Sequence, residues 1–450
     1  MTTYSEIFSE AIEQINSAQS LPRRHIKTAD LFEILATLPH PSGYGSFQCG
    51  SEAYKIIRRA SQEAFKNSKQ ATQIDEDDVF THVKSLFSKW YLTGSRKICP
   101  TSAGKLVAEA IKQASIEIKR RTHIYPVHLG HANGLEEFSI GPVNFAGGRT
   151  KKEIIERYIE TYKVQEINKV DKLQWYIDDC DKYYSSFGWI AIVDVEPCVH
   201  KISWRHGKKQ TQDAINCINI LLGQHYSCHM IVGGPQFSTD RRSGLSIEES
   251  GHIEISSSID WLGHALGEAW WHTLNEGRGN EIVNLMGIAV REGNRLNKPN
   301  NLSTRIFDAA SWYGEAVRDG SPLSSIVKYV TALERLFITK KLKGNLKSSF
   351  EERAAAFTFS AIGGDIEDIR KHFSRLYTLR SNIVHGKATP HTSKLIADIY
   401  ELDRYVRIAI QQYIYIAREE GLTKESTISQ LEKWLEKIVE TSKELASEMS

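Results

Sequence analysis

A chain of 450 residues with 41% hydrophobic content has the length of about three domains and enough apolar surface to bury real cores, so it reads as a globular protein. Lysine and arginine number 57 against 55 acids, and a net charge of +2 excludes bulk attraction for a phosphate polymer; any nucleic-acid site has to be local. Six cysteines without a Cys-x-x-Cys are too sparse for a disulfide scaffold, and the acidic N-terminus precedes no long apolar run, so a cytoplasmic protein with no export signal and no membrane segment is expected.

The predicted class is α+β. Residues 1–120 read as mostly helical: YSEIFSEAIEQI, then ADLFEILATL ended by Pro39 and Pro41, then EDDVFTHVKSLFSKWYL behind the acidic run Asp75 to Asp78. From Thr122 to Phe145 the pattern alternates, with Gly130, Gly134, Gly141 and Gly147-Gly148 as punctuation, and predicts strands and turns. A strand over GWIAIVDVE is followed by the HKISW segment and a helix over DAINCINILLG, after which HMIVGG and GHIEIS return to extended spacing. Residues 121–258 are therefore read as a mixed α/β domain, and 259–320 as a helical connector carrying Trp261, Trp270 and Trp271.

Residues 321–450 predict five helices joined by short loops, an antiparallel bundle. Ser321-Pro322 opens the first, whose stripe is Leu323, Ile326, Val327, Val330, Leu333, Leu336 and Phe337. Ser349 with Glu352 reads as a capping box, Asp365 and Ser393 open the next two, and Thr427 with Gln430 caps the last.

The third of these helices carries the chemistry. Its stripe runs Ile366, Ile369, Phe373, Leu376, and the next position is Arg380, in RSNIVHG. A guanidinium stays charged, so burying it demands a carboxylate, a carbonyl or a ligand, and Glu334 on the first bundle helix is the internal candidate. His385 lies five residues on, about 7.5 Å along an ideal helix and about 140° around it, but Gly386 can end the helix and turn the imidazole off the cylinder. An imidazole can take a ribose 2′-OH proton or protonate a leaving 5′-oxygen, and a guanidinium can stabilise charge on phosphoryl oxygens; Ser381 and Asn382 add hydrogen-bonding groups. The competing reading is a seam arginine paired with a glutamate and a histidine set against the helix dipole. Arg121 and His128 satisfy a looser form of the same spacing before a Pro-containing loop and are assigned no function.

ALERLFI, EERAAAF and RLYTLRSNIVHG, over about residues 321–420, together resemble the HEPN superfamily, especially its ApeA-like branch. The resemblance implies a helical bundle that dimerises, with an Arg-x4-6-His motif from each protomer lining a cleft for metal-independent RNA cleavage; here the motif residues are Arg380 and His385. Many members carry Asn, Asp or His directly after the arginine, where this chain has Ser381 and places the amide at Asn382. The resemblance further implies a prokaryotic abortive-infection effector that acts on RNA without a cofactor, in which residues 121–258 ahead of the bundle are the sensor of a phage-derived or nucleotide activator.

Elsewhere the signals are weaker. Lys340, Lys341, Lys343 and Lys347 form a basic loop, solvated by default but the best local grip for an RNA backbone. His225, Cys228 and His229, with Cys198, His200 and His206 nearby, do not make a zinc site: if MIV continues HYSCH as a strand, Cys228 and His229 face opposite ways. His123, His128 and His131 read as loop histidines, Gly147-Gly148-Arg149 and Gly233-Gly234-Pro235 as turns, and the aromatic stripe in WLGHALGEAWWH as packing.

Overall fold

The computed structural model describes residues 3–20, 36–42, 44–130, 136–165, 170–233, 239–247, 253–261, 270–295, 299–339, 345–387 and 393–449. The chain divides into two units: residues 1–121 with 195–206, and residues 122–194 with 207–450. Helices dominate and the sheets are small, in keeping with an α+β class. No helix among the described residues is long and apolar enough to cross a membrane.

The first unit contains α1 (Tyr4–Ser20), the short pair β1 (Thr37–Pro39) and β2 (Ser46–Gln48), α2 (Ser51–Lys66), α3 (Glu76–Phe87) and α4 (Pro100–Ala114). Asp75 caps α3 by accepting from the Asp77 amide, with acids filling the first turn where the helix dipole favours them. Helix α3 then widens into one π-helical turn, Ser88–Leu92. The end of ADLFEILATL is a correction: Thr37–Pro39 is a strand, because Pro39 cannot continue a helix and Leu38 buries itself in the pair with β2, while residues 29–35 lie outside the described ones.

In the second unit the sheet follows the order β4-β5-β6-β3-β7, with β3 (Lys119–His128), β4 (Glu137–Ile140), β5 (Val143–Gly147), β6 (Trp189–Cys198) and β7 (Ile231–Val232). Period-two alternation decides its faces. Tyr125, Val127, Phe145, Trp189, Ala191 and Val193 enter the large core, whereas Ala146 and Ile190 face Ile155 on α5 (Gly148–Gln165), which is followed by α6 (Val170–Ser185). His123 and His128 thus belong to strand β3, as does Pro126, and not to a loop; His131 lies outside the described residues. Strand β5 runs into α5 through Gly148 at φ +45°, so the first Gly-Gly pair is a strand-to-helix junction and not the turn its composition predicts.

HKISW and DAINCINILL form one helix, α7 (His200–Leu222), and not two segments. Gly207 lets it lie close to β3: a Cβ there would stand 2.6 Å from the Tyr125 hydroxyl. HYSCH is not a strand either, since Gln224–Ser227 is a helical turn and Cys228 and His229 follow in a turn before β7. Strands β8 (Thr239–Ile247) and β9 (Ile253–Trp261) form a separate hairpin. Trp261 therefore ends a strand instead of opening a helix, while Trp270 and Trp271 pack on Trp189.

Helices α8 (Gly277–Gly293) and α9 (Leu302–Val317) lead to the C-terminal helices α10 (Pro322–Phe337), α11 (Leu346–Ile362), α12 (Ile366–Val384), α13 (Ser393–Glu420) and α14 (Ile428–Met449). One hydrophobic core continues from the sheet through α8 and α9 into these helices, reaching Leu435. Helices α11 and α12, joined by residues 363–365, pack on each other, and both pack on α10. The cap of α11 is Asn345, accepting from the Lys347 and Ser348 amides, and not the Ser349–Glu352 box, because the helix starts a turn earlier than its apolar periodicity shows. Asp365 and the Thr427–Gln430 pair cap α12 and α14 as their side chains suggest.

Candidate functional site

Helix α12 buries Ile369, Phe373 and Leu376 at helical spacing, and that stripe next presents Arg380, whose side chain keeps 29% of its surface open. Helix α10 brings Glu334 alongside: Arg380 Nη2 stands 3.8 Å from Glu334 Oε2, an ion pair too long for a hydrogen bond. Arg380 Nε is buried without a hydrogen-bond partner, and the guanidinium carbon lies 5.9 Å from the Tyr377 ring centre, too loose for strong stacking. Burial pushes the Glu334 carboxyl above its usual range, and the opposing charges of Arg380 and Arg335 do not offset it. This carboxylate therefore satisfies the guanidinium poorly, leaving donors available to another anion.

His385 follows as the helix ends at Val384. Gly386 adopts φ +68°, its amide donates to Ile383 O (3.1 Å), and the Lys387 amide donates to Asn382 O (2.8 Å), closing a Schellman cap. The cap ends the cylinder just before the histidine and leaves the imidazole exposed, without a partner among the described residues. No hydrogen bond or ion pair links His385 with Arg380 in one chain. Both reach solvent from the same helix end.

Ser381 and Asn382 are half-buried between them. Lys347, in the first turn of α11, donates to Thr378 Oγ1 (3.0 Å) and lies 3.7 Å from Glu351, so one lysine of the basic segment sits two residues along α12 from Arg380. Lys340, Lys341 and Lys343 lie outside the described residues. Sequence reasoning missed Tyr377, whose position three residues before Arg380 is the available signal; its hydroxyl is held above the usual phenol range by burial, then by the Glu334 charge, with Arg380 opposing.

The decoy pair behaves differently. Arg121 Nη1 donates to Cys198 O (2.7 Å) and Nη2 to Glu117 O (3.1 Å), both fixed by main-chain acceptors, and His128 packs its ring 4.4 Å from Phe187. All six cysteines are free, and among the described residues no three His, Cys, Asp or Glu side chains are grouped to hold a metal ion. No protein-family model, curated protein or solved structure matches this chain.

Proposed function

We propose that the protein is a metal-independent endoribonuclease of the HEPN type, cleaving single-stranded RNA by 2′-OH attack and serving as an abortive-infection effector in antiviral defence. The observation that carries the reading is the end of α12: a guanidinium with unfilled donors beside a poorly matched carboxylate, followed by a free, exposed histidine on a glycine cap. Arg380 binds the scissile phosphate and stabilises charge on its non-bridging oxygens. His385 removes the 2′-OH proton as that oxygen attacks phosphorus, and the P–O5′ bond breaks to leave a 2′,3′-cyclic phosphate and a 5′-OH end. The leaving oxygen needs a proton as well. One imidazole cannot serve both sides of an in-line displacement at once, which favours a homodimer in which a second copy supplies the acid. Lys347, held by Thr378 two residues before Arg380, would add a cation for the adjoining backbone.

The second reading is a non-catalytic module in which these helices only dimerise or hold RNA, and the Arg380–Glu334 pair is the observation that favours it. Incubating purified protein with RNA, with and without EDTA, and analysing product ends separates the two. The expected result is EDTA-insensitive cleavage to cyclic-phosphate ends, reduced by about 10²-fold or more in His385→Ala and in Arg380→Ala, with both variants folded. Undiminished cleavage in His385→Ala, or full inhibition by EDTA, rules the enzyme out as described. Binding without cleavage by the wild type establishes the second reading.

A further inference from the structure

A second constellation lies wholly within the first unit. Helix α3 and its π-turn present Lys89 and Trp90, and α4 presents Lys105, Glu109 and Lys112, at positions i, i+4 and i+7, on the walls of an open cavity of about 550 Å³. Arg96 completes it, its guanidinium carbon 3.6 Å from the Trp90 ring centre. The volume lies in the range of small-molecule sites.

Among the described residues Lys89, Arg96, Lys105 and Lys112 make no ion pair, whereas six other cations of this unit, Lys55, Arg58, Arg59, Arg121, Lys201 and Arg205, pair with carboxylates. Glu109 is the only acid lining the cavity among the described residues, and it accepts from Gln113 Nε2 at 3.1 Å. In a chain whose net charge is only +2, four cations on the walls of one cavity make a local positive patch.

The aromatic wall is built rather than incidental. The π-turn spoils the regular helical ladder, and its carbonyls are satisfied from the following loop: Thr93 Oγ1 and Ser95 Oγ donate to Lys89 O, while Ser95 Oγ and the Arg96 amide donate to Trp90 O, the latter at 2.9 Å. Such turns recur at functional sites. The loop holds the exposed Arg96 over the indole, and a guanidinium and an indole together are side chains on which a planar base can stack. Lys105 and Lys112 stand about 10.5 Å apart along their helix, a span that suits a short phosphate chain.

We infer that this cavity binds a nucleotide, its base stacked on Arg96 and Trp90 and its phosphates held by Lys89, Lys105 and Lys112. The shared chemistry, a base with attached phosphate, belongs both to a free nucleoside polyphosphate and to a nucleic-acid strand. The inference draws on the first unit alone and does not rest on the ribonuclease reading.

Calorimetric titration of the full chain with ATP, with inorganic pyrophosphate and with a short oligodeoxyadenylate tests it; the last lacks a 2′-OH and so survives the cleavage proposed above. ATP or the oligonucleotide should bind, with pyrophosphate weaker because it has no base to stack. Arg96→Ala should weaken binding about tenfold, the worth of one stacked base. Lys105→Glu should weaken it further and flatten its salt dependence. Preference for ATP assigns the site to a free nucleotide, and preference for the oligonucleotide assigns it to a strand. His385→Ala should bind as the wild type does, which separates this result from any failure of cleavage. Absence of binding to both ligands, wild-type affinity in the Lys105→Glu variant, or pyrophosphate binding as tightly as ATP overturns the inference.

Discussion

Replacing Arg380 with alanine measures how far Glu334 depends on it. At 3.8 Å two unit charges attract by about 4 kcal/mol at an effective dielectric of about 20. That gross figure shrinks here, because the side chains are 29% and 26% exposed and because burial already outweighs the neighbouring cations at Glu334. A net worth of about 1 kcal/mol follows, the size found for exposed pairs, in place of the roughly 3–5 kcal/mol lost when a locked buried pair is broken. The sign with pH is fixed by the raised carboxyl: the stability Glu334 contributes is complete below its unfolded pKa of about 4.3 and is lost as pH rises through its higher folded value. Removing Arg380 raises that folded value further, so Arg380→Ala is less stable near neutrality and indistinguishable from wild type near pH 3. Glu334→Gln removes the ionisation penalty and should be at least as stable as wild type at neutral pH. Urea unfolding of wild type, both single variants and the double variant, at the two pH values, gives the coupling energy directly. A neutral-pH loss of about 3–5 kcal/mol, or a loss that persists undiminished in acid, would make Arg380 a structural counter-ion and refute the reasoning.

Gly386→Ala should cost about 1 kcal/mol in a thermal melt, all of it backbone strain at φ +68°, since nothing stands within 4 Å of the added Cβ; Gly386→Asn should cost less. Gly287→Ala should be far worse, giving little soluble protein on expression: its Cβ would come within 2.5 Å of the Gly141 amide, where the β4–β5 turn rests on α8. Glu432→Ala should cost about 3–5 kcal/mol by urea unfolding at pH 7. Burial pushes the Glu432 carboxyl up, but hydrogen bonds from Arg353 and Thr339 outweigh it and hold the group low, so the wild-type advantage is present above about pH 4.3 and disappears as pH falls through the depressed folded value.

Periodicity revealed elements whose faces differ in burial. The α10 and α12 stripes, the β5 and β6 alternations, and the caps at Asp365 and Thr427 were legible because local chemistry and tertiary packing agree there. Elements fixed by contacts distant in sequence were not. No apolar stripe runs from HKISW into the helix that follows, and Gly207 between them, which reads as a break in sequence, is the residue that lets one continuous helix pass close to Tyr125. The true cap of α11, Asn345, hides behind polar residues with no apolar partner to mark the start of the helix. At the candidate site, Arg380, Glu334 and the glycine cap could be anticipated from position in the stripe and from Gly386. Tyr377 offered only its spacing to Arg380 as a signal and Thr378 none, because their surroundings arise from what α10 and α11 set beside them. The cavity around Trp90 escaped for the same reason: its cations are scattered between positions 89 and 112 and meet only when α3 and α4 pack.

The C-terminal helices contain an internal control for Arg380. Arg353, on α11, meets Glu432 on α14 through Nη2 at 2.5 Å and Nη1 at 3.4 Å, donates also to Phe337 O, and is only 5% exposed. That is how this protein builds an arginine whose task is structural: donors filled, both partners fixed, and the carboxyl pulled below its ordinary range. The Arg380–Glu334 pair uses the same two residue types in the same core, yet stands at 3.8 Å with no hydrogen bond and with its carboxyl above that range. One bundle thus locks one Arg–Glu pair and leaves the other loose, and a loose pair is what the proposed phosphate contact at Arg380 requires. A phosphate entering from solvent would supply the bidentate partner that Glu334 does not, and it would arrive at the helix end where His385 is exposed.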